Sequence, residues 1–271
     1  MNEVNKLMRS TRFSVLCVVT GAFFSITCAQ EMNAGFLKRE IKIRGERYCY
    51  QIFVPRNLTS DKKWPVILYL NGAGERGADC ERQTQIGLAP VIRGQSATFP
   101  ALVVFPQCRP DSVWIGAMEE LALQALDKTM KEFNGDPQRI YLTGLSMGGY
   151  GTWYLASHHP KKFAAIAPVC GGIIPPPGRV FPRNAMALIP KNKPYETMAK
   201  KIGKTPVWIF HGSADPVILV TESREMNDAL KALGGNVKYT EYSGVGHNSW
   251  DKAYAEPELL AWLLSHSRTA N

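Results

Sequence analysis

The sequence predicts an α/β fold: a mostly parallel eight-stranded sheet with helices on both faces. Short apolar runs rich in β-branched and aromatic residues recur along the chain, as strands buried on both faces require. Segments with helical spacing lie between them, so strand and helix alternate in the order that builds a parallel sheet. An alternating segment ahead of this series adds an antiparallel edge.

The elements follow in order. Residues 36–55 carry Ile41-Lys42-Ile43 and Tyr48-Cys49-Tyr50-Gln51-Ile52-Phe53-Val54 with Gly45 between them, which reads as a hairpin. Residues 66–70, 102–105, 140–143 and 207–210 read as central strands, and 163–169 and 237–242 add two more. Helical spacing covers 118–133, 148–157 and 221–233, the last stopped by Gly234-Gly235, and 257–265 closes the series. Asp251 is expected to cap that terminal helix. Residues 173–194 break the rhythm. Pro175, Pro176, Pro177, Pro182, Pro190 and Pro194 oppose regular helix or central strand there, so a surface excursion over the sheet edge is expected.

The amino end carries a basic stretch (Lys6, Arg9, Arg12), a dozen apolar residues from Phe13 to Phe24, and small residues Thr27-Cys28-Ala29. That pattern reads as a signal peptide over residues 1–29, its apolar run too short to span a bilayer as a helix. Residues 30–271 then form one domain, secreted or periplasmic, with no stable membrane insertion after cleavage. The chain has 271 residues, 45% apolar and 20% charged, which excludes wholesale disorder. Removing residues 1–29, with three basic and one acidic side chain, lowers the net charge from +9 to +7. The basic residues are scattered, without the runs or aromatic interleaving of a nucleic-acid module, so no nucleic-acid partner is expected. A monomer is expected. Beyond residue 29 the cysteines are Cys49, Cys80, Cys108 and Cys170. Cys80 and Cys108 follow the carboxyl ends of two strands expected to be neighbours, which makes them a candidate bridge.

The chemistry gathers in three segments. Gly144-Leu145-Ser146-Met147-Gly148 follows a strand and precedes a helix. A nucleophilic serine on so sharp a turn needs small neighbours two positions away, and the helix start favours developing negative charge. A serine hydroxyl needs a base, normally a histidine held by a carboxylate. His247, in a glycine-rich loop after the last strand, is the candidate; His211 is its competitor and reads instead as a brace for the following loop. Asp215, in HGSADP directly after a strand, supplies the acid, with Asp251 and Glu241 as rivals. The order Ser146, Asp215, His247 is nucleophile, acid, base. Backbone amides of Met147 and of Ala73, with Gly74 as the alternative to Ala73, are the expected oxyanion donors. Trp114 and Trp250 are candidates for lining the substrate pocket, and Trp153 reads as core.

Together NGAGERG, PQC before Trp114, GLSMGGYG, HGSADPV and GVGHNSW resemble the secreted carboxylesterases of the α/β-hydrolase superfamily. The similarity is to the phospholipase/carboxylesterase or predicted-peptidase branch, near feruloyl esterases and polyhydroxybutyrate depolymerases. It covers about residues 36–265. It implies the α/β-hydrolase fold, the triad Ser146, Asp215 and His247, and hydrolysis of short-chain or aryl esters, free or on polysaccharide, without metal or organic cofactor. A serine peptidase of the prolyl-oligopeptidase type and a non-catalytic secreted binding protein are the alternatives. That branch usually opens its first oxyanion loop with histidine, and here Asn71 takes the place.

Overall fold

Strand β1 (Gly35–Ile43) pairs antiparallel with β2 (Glu46–Val54) through a tight turn in which Arg44 and Gly45 both take positive φ. This is the expected hairpin at the sheet edge. The computed structural model describes residues 34–176 and 189–268. The expected signal peptide and residues 177–188 of the expected excursion lie outside them.

Strands β3 (Trp64–Leu70), β4 (Leu102–Pro106), β5 (Gly135–Leu145), β6 (Ala165–Val169), β7 (Val207–Gly212) and β8 (Val237–Tyr242) complete an eight-stranded sheet in the order β1-β2-β4-β3-β5-β6-β7-β8. β2 meets β4 antiparallel, and every pairing from β4 to β8 is parallel. All seven residues of β3 are buried. Val66, Leu68 and Leu70 join the cluster that contains Leu121, Leu126 and Trp153, while Ile67 and Tyr69 join the one that contains Leu88, Ile92 and Leu263. Period-two alternation thus feeds two cores, one on each face. A strand apolar on both faces is what such a position selects.

The helices are α1 (Leu88–Gly94), α2 (Ala117–Glu132), α3 (Met147–His158), α4 (Pro194–Ile202), α5 (Thr221–Ala232), α6 (Trp250–Tyr254) and α7 (Pro257–Leu264). The sequence reading anticipates α2, α3, α5 and α7 and misses the rest. Pro194, expected to oppose a helix, stands at the first position of α4, and Pro90 lies in the first turn of α1; a helix leaves its first N–H groups without partners, so proline is tolerated there. Asp251 does not cap the terminal helix: it lies inside α6, and Glu256 precedes α7.

The cysteine expectation is also corrected. Cys49, Cys80, Cys108 and Cys170 are free thiols, and no Cys80–Cys108 bridge forms. Cys108 joins the buried cluster of Trp114 and Met118, where burial pushes its thiol up to about 12 against the pull of Arg76. Cys80 instead faces β2, where Gln51 Nε2 donates to its carbonyl and Gln107 Oε1 accepts from both the Cys80 N–H and the Cys49 thiol.

Candidate active site

Ser146 sits between β5 and α3 with φ 54°, a left-handed conformation uncommon for a residue with a side chain. The turn is held from three sides. Ser146 N–H donates to Val169 O at 2.9 Å, tying it to β6. A Cβ at residue 144 would stand 2.5 Å from Gly148 O, and one at residue 148 would stand 1.9 Å from Leu70 O. Glycine at both positions lets β3, the turn and α3 approach backbone to backbone.

His247 Nε2 lies 2.9 Å from Ser146 Oγ, and Nδ1 lies 2.7 Å from Asp215 Oδ2. A carboxylate can only accept, so Nδ1 carries the proton and Nε2 presents its lone pair to the hydroxyl. Three residues from three loops therefore form one hydrogen-bonded chain. Asp215 is buried, and its Oδ1 accepts the N–H groups of Val217 (2.8 Å) and Ile218 (3.0 Å). Burial opposes its ionisation, but hydrogen bonds from His211, His247 and these two amides outweigh it. The carboxyl is held well below the usual carboxylate range.

His211 is committed elsewhere. Its Nε2 faces two acceptors, Asp215 Oδ2 at 3.2 Å and Ile218 O at 2.9 Å, so it must carry the proton. Nδ1 accepts from Ser223 Oγ at 2.7 Å. The ring braces the 215–218 loop. Glu241 is paired with Arg224 and takes no part in the chain from Ser146.

Met147 is the first residue of α3 and Ala73 the first of a 3₁₀ turn, Ala73–Glu75. Helix geometry leaves amides at such positions without intrahelical acceptors. The loop carrying Ala73 is braced by Asn71, whose Nδ2 donates to Gly72 O at 2.7 Å and whose Oδ1 accepts from Cys108 N–H at 3.1 Å. Trp114 Nε1 donates to Asn71 O at 3.0 Å. The side chain at position 71 thus ties this loop to the segment after β4.

Trp114 is buried and packs on α3 where Gly151 makes room, since a Cβ at residue 151 would stand 2.7 Å from it. With Met147, Tyr150, Tyr154, Ile173 and Pro175 it lines an apolar cleft. Trp250 starts α6 and sets its ring edge-to-face against His247, centroids 5.4 Å apart. The two tryptophans therefore lie at different places, one in the cleft and one beside the imidazole. Trp153 is buried in the core and borders the same cleft.

Two organising residues escape sequence reasoning. Gln107 Oε1 accepts from Cys80 N–H at 2.8 Å, and its Nε2 donates to Glu75 O at 3.3 Å and Asp79 Oδ1 at 2.8 Å. Glu222 Oε2 accepts the N–H groups of Ile173 (2.7 Å) and Ile174 (3.0 Å), and Oε1 accepts Tyr195 Oη at 2.7 Å. Only the PQC motif hinted at the first, and nothing local marks the second.

A sequence profile of the dienelactone hydrolase family matches residues 115–257, just over half of the chain. The chain belongs to the dienelactone hydrolase family. This dienelactone hydrolase relative is similar to an uncharacterised secreted protein of Arthroderma benhamiae, 29% identical over 213 residues, covering 70% of the chain and 22% of that protein. It is similar to the putative esterase NocK of Nocardia uniformis subsp. tsuyamanensis, 26% identical over 188 residues, covering 66% of the chain and 48% of NocK. The chain thus spans from about a fifth to half of the length of these curated relatives. Among solved structures, a thermostable esterase superposes with a TM-score of 0.72 at 33% identity, over 86% of this chain and 63% of that one. The sheet and its helices are those of the α/β-hydrolase superfamily.

Proposed function

We propose that this dienelactone hydrolase family member is a serine esterase that hydrolyses short-chain or aryl esters through an acyl-enzyme on Ser146. The observation that carries the reading is the hydrogen-bonded chain from Ser146 Oγ through His247 to Asp215. As Ser146 Oγ bonds to the ester carbonyl carbon, its proton passes to His247 Nε2, and the imidazolium is stabilised by the Asp215 carboxylate. The carbonyl oxygen becomes an oxyanion held by the amides of Met147 and Ala73. Collapse expels the alcohol, which takes the proton from Nε2. Water, deprotonated by the same nitrogen, then attacks the acyl-enzyme and releases the acid.

The substrate class rests on the apolar cleft. Met147, Tyr150, Gly151 and Tyr154 lie on one face of α3 at spacings of three and four residues, so the cleft runs about 10 Å along that helix from Met147, the residue that follows Ser146. An aromatic ring or short acyl chain fits such a wall, and polysaccharide-linked esters offer either group. The edge-to-face contact of Trp250 with His247 supports a role for it on the alcohol side. The secreted relative and the amino-terminal pattern support export, and among the described residues no helix is long and apolar enough to cross a membrane. We further propose one monomeric domain over residues 30–271 and no nucleic-acid partner.

Turnover of p-nitrophenyl acetate, p-nitrophenyl butyrate and an aryl ester against matched peptide anilides tests the reading. Ester hydrolysis is expected to exceed amide hydrolysis by orders of magnitude. Faster amide turnover would make the chain a peptidase, and no fluorophosphonate labelling of the folded protein would make it a binding protein.

A further inference from the structure

Strand β2 turns Cys49, Gln51 and Phe53 to one face by its period-two alternation. Both polar members are tied to the same place outside the strand. Gln51 Nε2 donates to the carbonyl of Cys80, and the Cys49 and Cys80 thiols are near enough for the charge state of one to act on the other. Gln107 spans the pair from the other side: its Oε1 accepts from Cys80 N–H at 2.8 Å and from Cys49 Sγ at 3.8 Å.

The segment around Cys80 is fixed on both flanks. Asp79 Oδ1 accepts the N–H groups of Glu81 and Arg82, and Glu81 pairs with Lys38 of β1 at 2.6 Å. Lys38 stands opposite Gln51 in the hairpin register, so the contacts from β1 and β2 converge on residues 80 and 81. Cys80 also takes φ 61°, a conformation that sends its side chain where the commoner backbone regions would not. The direction it takes is toward Cys49.

We propose that Cys49 and Cys80 form a disulfide that fastens the loop carrying Ala73 to the antiparallel edge of the sheet. The oxidant is an external disulfide. One cysteine thiolate attacks a sulfur of that disulfide and expels a thiolate; the second cysteine attacks the mixed disulfide and expels the other. Two protons and two electrons leave Cys49 and Cys80, the external disulfide is reduced to two thiols, and one S–S bond joins β2 to the loop. The sulfurs are poised for the exchange. Cys80 is held toward its thiolate by the hydrogen bond from Cys49 and that from Gln83, while Cys49 holds its proton. Cys49 is also only half-buried, which gives the oxidant a way in. The other two cysteines are excluded by position: Cys108 is buried against Arg76, and Cys170 lies beneath Ser146 and Asp215, where burial pushes its thiol up.

Incubating the full chain with oxidised glutathione, then denaturing it in iodoacetamide and digesting with trypsin, reads the pairing directly. The expected product joins residues 48–56 to residues 77–82 and leaves Cys108 and Cys170 alkylated. Alkylation of all four cysteines, or a link from Cys80 to Cys108, overturns the proposal. A second readout is thermal. The oxidised protein is expected to melt roughly 10 °C above the reduced protein, because a bridge closing a loop of about thirty residues restrains the unfolded chain. Cys49→Ser, Cys80→Ser and the double variant are expected to share the melting temperature of the reduced form under oxidising conditions. Equal melting of oxidised and reduced wild type, or additive losses in the double variant, overturns it. Neither readout depends on ester turnover, so the disulfide stands or falls apart from the proposed activity.

Discussion

Ser146, His247 and Asp215 contribute one hydrogen-bonding atom after another, and each has a separate expected signature. Ser146→Ala is expected to abolish fluorophosphonate labelling and reduce ester turnover by at least about 10³-fold with the melting temperature unchanged. Asp215→Asn keeps the shape but replaces the acceptor facing His247 Nδ1 with a group that can donate, and kcat should fall by about 10³- to 10⁴-fold. That variant also tests the acid limb of stability. The folded carboxyl lies below its unfolded value, so its contribution is complete above about pH 4 and is lost as pH falls through the lower folded value. In acid titrations followed by circular dichroism, the wild type should lose this increment on the acid side and Asp215→Asn should lack it throughout. Gly148→Ala is a harsher case, since the atom 1.9 Å from its Cβ belongs to the backbone of β3 and cannot rotate away. Little folded protein is expected, as measured by the soluble yield.

At the level of elements, the sequence revealed those with long period or clear alternation and hid those whose signals conflict. α1 and α4 contain the prolines that a local reading treats as breaks, and α6 is only five residues long. Ser146, Asp215 and His247, which the fold brings into one hydrogen-bonded chain, were legible because each ends or follows a strand in a fixed order. Their supports were not. His211 reaches Ser223, Gln107 reaches Glu75, and Glu222 reaches Ile173, contacts set by tertiary placement rather than by any repeat. The Cys80 partner failed for the same reason: neighbouring strand ends suggested Cys108, but side-chain direction turned Cys80 to β2. One element contact has its own pH signature. Arg224 of α5 grips Glu241 of β8 with two hydrogen bonds, at 2.6 and 2.9 Å, and holds its carboxyl at about 2. The unfolded value lies near 4.3, so this clasp stabilises fully above about pH 4 and is lost as pH falls toward 2. Being solvent-facing on the arginine side, it contributes little, and urea titrations of Arg224→Ala at pH 7 and pH 2 should show a small loss present only at the higher pH.

Across the whole molecule, the two cores on either face of the sheet hold the carboxyl edges of β5, β7 and β8 in register, and those edges carry the loops of Ser146, Asp215 and His247. Leu68, fully buried in the middle of β3, is the plainest test of that coupling. Leu68→Ala should destabilise the protein by about 2–5 kcal/mol in urea titration while leaving kcat close to wild type well below the midpoint, because the deletion opens a cavity without moving the strand ends. The cleft wall is built differently. Glu222 alone gathers the amides after β6 and the hydroxyl of Tyr195 on α4, while no atom of it belongs to the hydrogen-bonded chain at Ser146. Met147 and Trp114 belong to both the cleft and the surroundings of Ser146, but the carboxylate that gathers the far wall is not the one that holds His247. That wall can therefore be reshaped through Glu222 while the hydrogen bonds joining Ser146, His247 and Asp215 keep their own partners.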